Sequence, residues 1–166
     1  MACCIFNGPA REIVHGLKYK NSPHLASDIA KIMAETPALG EFLKDSILVP
    51  VPLHFARKAK RGYNQSEIIA TAAKRAFPKN GTIISNALIR TKRTDTQTHL
   101  TREERLENIK GAFEADRRKA SKIAKSAHIV VVDDVMTSGA TMSECAKVLK
   151  RLGFKNIDAF AFARKM

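Results

Sequence analysis

The chain has 166 residues, of which 45% are hydrophobic, enough to bury the core of one domain, and no second composition regime, internal repeat or low-complexity tract divides it. Twenty-nine basic residues against sixteen acidic ones give +13 at pH 7, an excess that favours polyanionic partners, nucleic acid included, while 6% aromatic content without Trp leaves little for a platform that stacks single-stranded bases. The longest uncharged apolar stretch is far too short to cross a bilayer, no basic segment followed by a long apolar run opens the chain, and Cys3, Cys4 and Cys145 make no even disulfide framework, so a cytoplasmic protein with reduced thiols and no membrane insertion is expected.

Pro9 followed by Ile13, Val14 and Leu17 predicts a short first helix, and Leu25, Ile29, Ile32 and Met33 recur at helical spacing for a second. Ile47 to Val51 reads as the first core strand, ended by Pro50 and Pro52. The stretch from Leu53 to Tyr63 then reads as a loop with four cations, Arg57, Lys58, Lys60 and Arg61, followed by Gly62; a solvated basic loop is its plain structural alternative. Asn64 is suited to cap a helix carrying Ile68, Ile69, Ala72, Ala73 and Ala76. Ile83 to Ile89 predicts the next strand.

Thr91 to Lys110 is poor in apolar residues and polar without interruption from Thr94 to Thr98, which argues against a core element. A loop of such length in a small domain is functional or disordered. Glu103, Glu104 and Glu107, set among arginines, equally fit i,i+4 pairs on an exposed helix. Gly111 to Phe113 predicts a short third strand, Ile129 to Asp133 a fourth and Asn156 to Phe162 a last. Strands alternating with helices predict an α/β fold with a doubly wound, mainly parallel sheet.

The fourth strand carries the chemistry. Ile129 to Val132 are consecutive apolar residues, as in a central parallel strand covered on both faces, and Asp133 and Asp134 follow at its carboxyl end, where open α/β sheets bind ligands. Adjacent strand residues point to opposite sides, so the two acids can divide neighbouring hydroxyls, such as those of a ribose, between them. The turn Thr137-Ser138-Gly139-Ala140-Thr141 precedes a helix with Met142, Ala146, Leu149 and Leu152 on one face. Its N–H groups lie at a helix N-terminus, a site for an anion, and Gly139 can take a positive φ there. Together these point to a phosphosugar. An acid pair after an apolar strand also occurs in receiver and phosphatase folds, where it holds magnesium; receiver domains place their acids near the chain start, whereas here they open the last quarter.

With Val135 and Met136 between acids and turn, this segment resembles the phosphoribosyl-diphosphate (PRPP) signature of type I phosphoribosyltransferases, departing from it at Ser138 alone. Gly16-Leu17-Lys18-Tyr19, Val49-Pro50-Val51-Pro52, Arg61-Gly62-Tyr63-Asn64-Gln65, Arg90-Thr91, Thr96-Gln97 and the run from Arg105 to Phe113 extend the likeness, so that nearly the whole chain resembles the ComF family. The resemblance implies one phosphoribosyltransferase-like domain, with residues 1–44 as a small helical hood and 45–166 as the core. It implies PRPP phosphate and ribose binding by Asp133, Asp134, Val135, Met136, Thr137, Ser138, Gly139, Ala140 and Thr141. It makes residues Arg57, Lys58, Lys60, Arg61 and Gly62 a pyrophosphate loop, and Arg90, Arg93, Gln97, Arg102, Arg105 and Asn108 a flexible lid. Asp133, Asp134 and Arg61 are then the candidate catalytic residues.

The activity so implied is Mg²⁺-dependent phosphoribosyl transfer with pyrophosphate release, linked to DNA uptake or nucleotide recycling. The alternative is a non-catalytic accessory protein that senses PRPP or a nucleotide and binds DNA. Mg²⁺ is expected to be held mainly by PRPP and water rather than by the protein. ComF-like proteins often carry a four-cysteine zinc ribbon; adjacent Cys3 and Cys4 lack its C-x-x-C spacing, so no zinc is expected. His15, His24, His54, His99 and His128 form no diagnostic constellation for a general base. The acceptor and the oligomeric state are not legible, since residues 1–44 contain no recognisable acceptor pattern.

Overall fold

The computed structural model describes residues 1–20, 22–92, 94 and 101–165, with the side chains of Arg102, Arg105 and Leu106 outside that description. Its frame is a five-stranded, wholly parallel sheet. The strands are β1 (Ala2–Ile5), β2 (Ser46–Pro50), β3 (Ile83–Ile84), β6 (His128–Met136) and β7 (Ile157–Arg164), in the order β1-β7-β6-β2-β3. A separate antiparallel ribbon pairs β4 (Leu88–Arg90) with β5 (Phe113–Ala115). The helices are α1 (Gly8–Tyr19), α2 (Ala26–Ala34), α3 (Pro37–Leu43), α4 (Phe55–Arg61), α5 (Gln65–Ala76), α6 (Arg102–Ile109), α7 (Arg117–Ala120) and α8 (Ala140–Arg151).

The central strand β6 shows why its apolar run is continuous. Val130 and Val132 face a core built with Leu48, Phe160, Phe162 and residues of α1, α2, α3 and α5, whereas Ile129 and Val131 face a second core with α8 and the β4–β5 ribbon. Period-two alternation thus directs successive side chains into two different apolar layers. The doubly wound α/β expectation holds.

Residues 1–44, expected as a small helical hood, hold α1, α2 and α3 and also join the sheet and its core: β1 pairs with β7 at the sheet edge, and Val14, Leu17, Ile29, Met33, Leu39 and Leu43 are fully buried beneath the sheet. Other expectations need correction. The strand expected over Ile83 to Ile89 is two strands in different sheets, because β3 follows β2 only briefly before the chain turns into the ribbon. The strand expected at Gly111 to Phe113 is β5, shifted toward Ala115 and likewise outside the main sheet. The stretch after Pro52 is helical over Phe55–Arg61, and Gly62, at φ +81°, ends that helix in the left-handed conformation that glycine permits. Within the polar segment, α6 starts on a capping box in which Thr101 Oγ1 accepts from the Glu104 N–H at 3.2 Å and Glu104 Oε2 accepts from the Thr101 N–H at 2.7 Å. That helix ends on Ile109, fully buried in the second core, so part of the segment is a core element after all.

Asn64 ties a helix to the sheet. Its Oδ1 accepts from the Ser66 N–H at 3.1 Å as the cap of α5, while its Nδ2 donates to the Val51 carbonyl at 3.0 Å just beyond β2. Asn64→Ala removes the cap and leaves a buried carbonyl unpaired, so a loss of about 2 kcal/mol is expected in urea unfolding. A loss below about 0.5 kcal/mol, the usual range for a surface site, would contradict this role.

Candidate functional site

A cleft of about 420 Å³ opens at the carboxyl end of β6 and β2. Asp133, Asp134 and Val135 come from β6, and Thr137, Ser138, Gly139, Ala140 and Thr141 from the turn into α8. Gly139 has φ +74° and occupies the N-cap position, so the backbone of α8 starts at the cleft. Lys18 and Tyr19 enter from the end of α1, Arg57 and Arg61 from α4, Gln65 and Ser66 from the start of α5, and Arg90 from the end of β4. Lys165 closes the rim. Five cations therefore face two carboxylates, a positive excess that suits an anion carrying more than one charge.

Each acid has a different environment. Asp134 is 7% exposed and its Oδ1 accepts from Lys18 Nζ at 2.9 Å. Asp133 Oδ1 accepts from Ser66 Oγ at 3.0 Å and from the Asp134 N–H at 2.8 Å. Burial, and then the neighbouring Asp134 charge, push Asp133 up to about 7. Burial works against the charge on Lys18, but the Asp134 carboxylate outweighs it and the Lys18 ammonium is held above its ordinary value. Tyr63 fixes the end of α1 by donating its hydroxyl to the Leu17 carbonyl at 2.7 Å.

The arginines crowd one another. Burial, then Arg57, lower Arg90; burial also lowers Arg61, with Arg57 adding to it and Asp134 opposing it. A bound anion relieves that repulsion. Arg57 Nη2 donates to the Thr94 carbonyl at 2.6 Å, Arg90 Nη2 donates to the Thr94 hydroxyl, and the Arg90 guanidinium lies 5.3 Å from the centre of the Phe113 ring. Both side chains are thus oriented without a ligand.

The residues expected in the site divide as follows. Asp133, Asp134, Val135, Thr137 to Thr141, Arg57, Arg61 and Arg90 line one cleft. Lys58 turns away and pairs with Glu67 at 3.2 Å, and Lys60 and Gly62 are not among the lining residues. Met136 packs against the second core, and Asn108, on α6, does not line the cleft. Arg93 and Gln97 lie outside the described residues, as do the side chains of Arg102 and Arg105. Lys18, Tyr19, Gln65, Ser66 and Lys165 line the site without having been singled out for it. Gln65, Ser66, Lys18 and Tyr19 follow or fall within short motifs of the sequence, whereas Lys165 has no local signal at all.

The raised Asp133 pKa has a consequence for stability. In the unfolded chain this carboxyl returns to its ordinary value near 3.8, so between about 4 and 7 the folded state holds the proton more tightly. Its contribution is present below pH 4 and is lost as pH rises through 7. Thermal unfolding of the ligand-free protein is expected to show Tm falling from pH 5 to pH 7.5 more steeply in the wild type than in Asp133→Asn. Parallel curves would sink the assignment.

Among the described residues no three His, Cys, Asp or Glu side chains gather as a metal cluster, and no helix is long and apolar enough to cross a membrane. The sequence profile of the phosphoribosyl transferase domain matches residues 19–166. Competence protein F of Haemophilus influenzae is 27% identical over 160 residues, covering 94% of this chain and 68% of that protein. DNA utilization protein YhgH of Salmonella typhimurium is 30% identical over 166 residues, covering 97% and 70%, and YhgH of Escherichia coli K12 is 30% identical over 163 residues, covering 95% and 68%. Among solved structures, a hypoxanthine phosphoribosyltransferase from Staphylococcus aureus superposes with a TM-score of 0.51 at 9% identity, covering 85% of this chain and 74% of that one. That likeness is one of fold.

Proposed function

The chain belongs to the phosphoribosyl transferase domain family, within the ComF group of competence protein F and YhgH, and from that premise we propose that its cleft binds PRPP and transfers the phosphoribosyl group with release of pyrophosphate. The observation that carries this reading is the convergence of two strand-end acids, a hydroxyl-rich helix-start turn and three arginines on one cleft. The acids accept ribose hydroxyls, the 137–141 turn cradles the 5′-phosphate, and Arg57, Arg61 and Arg90 take the diphosphate. As the bond from C1 to the diphosphate breaks, negative charge grows on the leaving group and positive charge on the sugar. Fixed arginines on one side and Asp133 and Asp134 on the other stabilise both.

Mg²⁺ bound to the diphosphate would neutralise charge there, and its preference for oxygen ligands and retained water suits a site in which PRPP brings most of the ligands. The protein's own share is orientation. Lys18 and Ser66 hold the two carboxylates before the sugar arrives.

A second reading adds contact with DNA. Helices that follow strands of a parallel sheet run back, so the C-termini of α5 and α8 lie at the end remote from the cleft, and α7 also precedes the start of β6. The exposed cations Lys74, Arg75, Arg117, Arg118, Lys150 and Arg151 belong to those ends. This charge is not needed for PRPP, and the names of the relatives support a role in DNA use. Without transfer, the protein would be a DNA-binding sensor of PRPP. The deciding experiment measures pyrophosphate release from PRPP and Mg²⁺ across a panel of bases and amines. Release with one acceptor establishes an enzyme; binding of PRPP without release across the panel favours the sensor.

A further inference from the structure

Thr94 is 6% exposed, a buried residue in a segment otherwise rich in charge. Two cleft arginines from different elements meet on it. Arg57, on α4, donates from Nη2 to the Thr94 carbonyl at 2.6 Å, and Arg90, at the end of β4, donates from Nη2 to the Thr94 hydroxyl. The two guanidiniums are close enough for the charge of Arg57 to disfavour that of Arg90, so their approach costs free energy that a shared partner offsets. Among the described residues no carboxylate forms an ion pair with either arginine. The common partner is neutral.

We propose that Thr94 is a positioning residue of the diphosphate subsite: its carbonyl and hydroxyl set the Arg57 and Arg90 guanidiniums side by side on the cleft wall, and its neutrality leaves their charge to the ligand. The inference rests on the PRPP reading and names a residue that reading does not use. A guanidinium carries five N–H donors and no acceptor, so it can give one to Thr94 and still present others to an anion. A carboxylate in the same place would orient the pair as well. It would also cancel their charge and repel the incoming diphosphate. A backbone carbonyl and a hydroxyl fix the direction of both side chains without either effect. Ordering two long side chains is then met on folding rather than on binding. The effect belongs to one half of the ligand, because Arg57 and Arg90 come from α4 and β4 whereas the 137–141 turn stands at the start of α8.

Calorimetric titration with Mg²⁺-pyrophosphate and, separately, with ribose 5-phosphate tests this in three variants. Thr94→Val keeps the shape and removes the acceptor for Arg90; pyrophosphate affinity is expected to fall about fivefold to tenfold, with ribose 5-phosphate affinity unchanged. Thr94→Ser keeps the hydroxyl and should bind pyrophosphate as the wild type does. Thr94→Asp puts a charged acceptor beside both arginines, and it serves if Val packs poorly. Tm of the ligand-free Asp variant should hold or rise while its pyrophosphate affinity falls by more than about tenfold. A merely structural threonine would give the reverse, with binding following Tm and a buried Asp lowering both. Unchanged pyrophosphate affinity in the Val and Asp variants, or an equal loss for ribose 5-phosphate, overturns the assignment while leaving the PRPP reading intact. Failure of the wild type to bind Mg²⁺-pyrophosphate overturns that reading, and this role with it.

Discussion

The double variant Asp133→Asn/Asp134→Asn is expected to bind ribose 5-phosphate about 100-fold more weakly than the wild type, from the loss of two charge-assisted hydrogen bonds of roughly 1.5–3 kcal/mol each, reduced because Asn keeps an acceptor. Isothermal titration at one pH and salt concentration measures it. The loss should be greater for the pair than for Asp133→Asn alone, since Asp134 is the acid held by Lys18 and its removal leaves that ammonium without its 2.9 Å partner. Lys18 then gains freedom to seek phosphate oxygens. For that reason pyrophosphate affinity should hold or rise slightly in the variant. An unaltered affinity for the sugar phosphate would remove the strand-end acids from the binding site, whatever the fold resemblance.

Arg61→Ala gives the second large effect, on the other half of the ligand. Pyrophosphate affinity in the presence of Mg²⁺ is expected to fall about 30- to 100-fold, on the order of 2–3 kcal/mol for a bidentate charge-assisted contact. Arg61→Lys should recover part of this but not all, because an ammonium keeps the charge and loses the planar fork. The side chain stands at the C-terminal end of α4, where the helix dipole favours a cation even without ligand, so neither variant should unfold the protein. Ribose 5-phosphate binding is the internal control and should stay within about twofold, far inside the tenfold that 1.4 kcal/mol represents. Equal losses for both ligands would show that Arg61 acts on the 5′-phosphate or on the fold. Lys58→Ala should be nearly silent in the same assay, its ammonium being engaged with Glu67 outside the cleft.

The contrast between Arg61 and Lys58 shows where sequence reading stops. Read as a loop, the four cations after β2 form one pyrophosphate group with Arg61 foremost; wound into α4, they take different faces, and only Arg57 and Arg61, four residues apart, turn to the cleft. The segment after Arg90 shows the same limit from the other direction. Its charge pattern allowed an exposed helix there but hid that α6 is anchored in the core, because one buried residue, Ile109, does the anchoring and a single apolar position gives no periodic signal. β1 was invisible for a related reason: four residues at a sheet edge gain their order from pairing with β7, which lies more than 150 positions away.

Local chemistry determined a good deal by itself. Four apolar residues, two acids and a turn of small hydroxyl residues dictate a buried strand that ends on an acid pair and a helix-start turn, since burial, strand alternation and the helix-start amides are properties of neighbours in the chain. Asn64 as a cap and Gly139 at positive φ were legible on the same grounds. What only the tertiary structure decided is which distant residues complete that site. Lys18 reaches Asp134 across 116 positions and Ser66 reaches Asp133 across 67. Gln65 borders the cleft from the start of α5, and Lys165 arrives from the far end of β7. These contacts depend on the order of the strands and on which helix end each loop delivers to the carboxyl edge, and a parallel sheet fixes both through long-range pairing rather than through any local pattern.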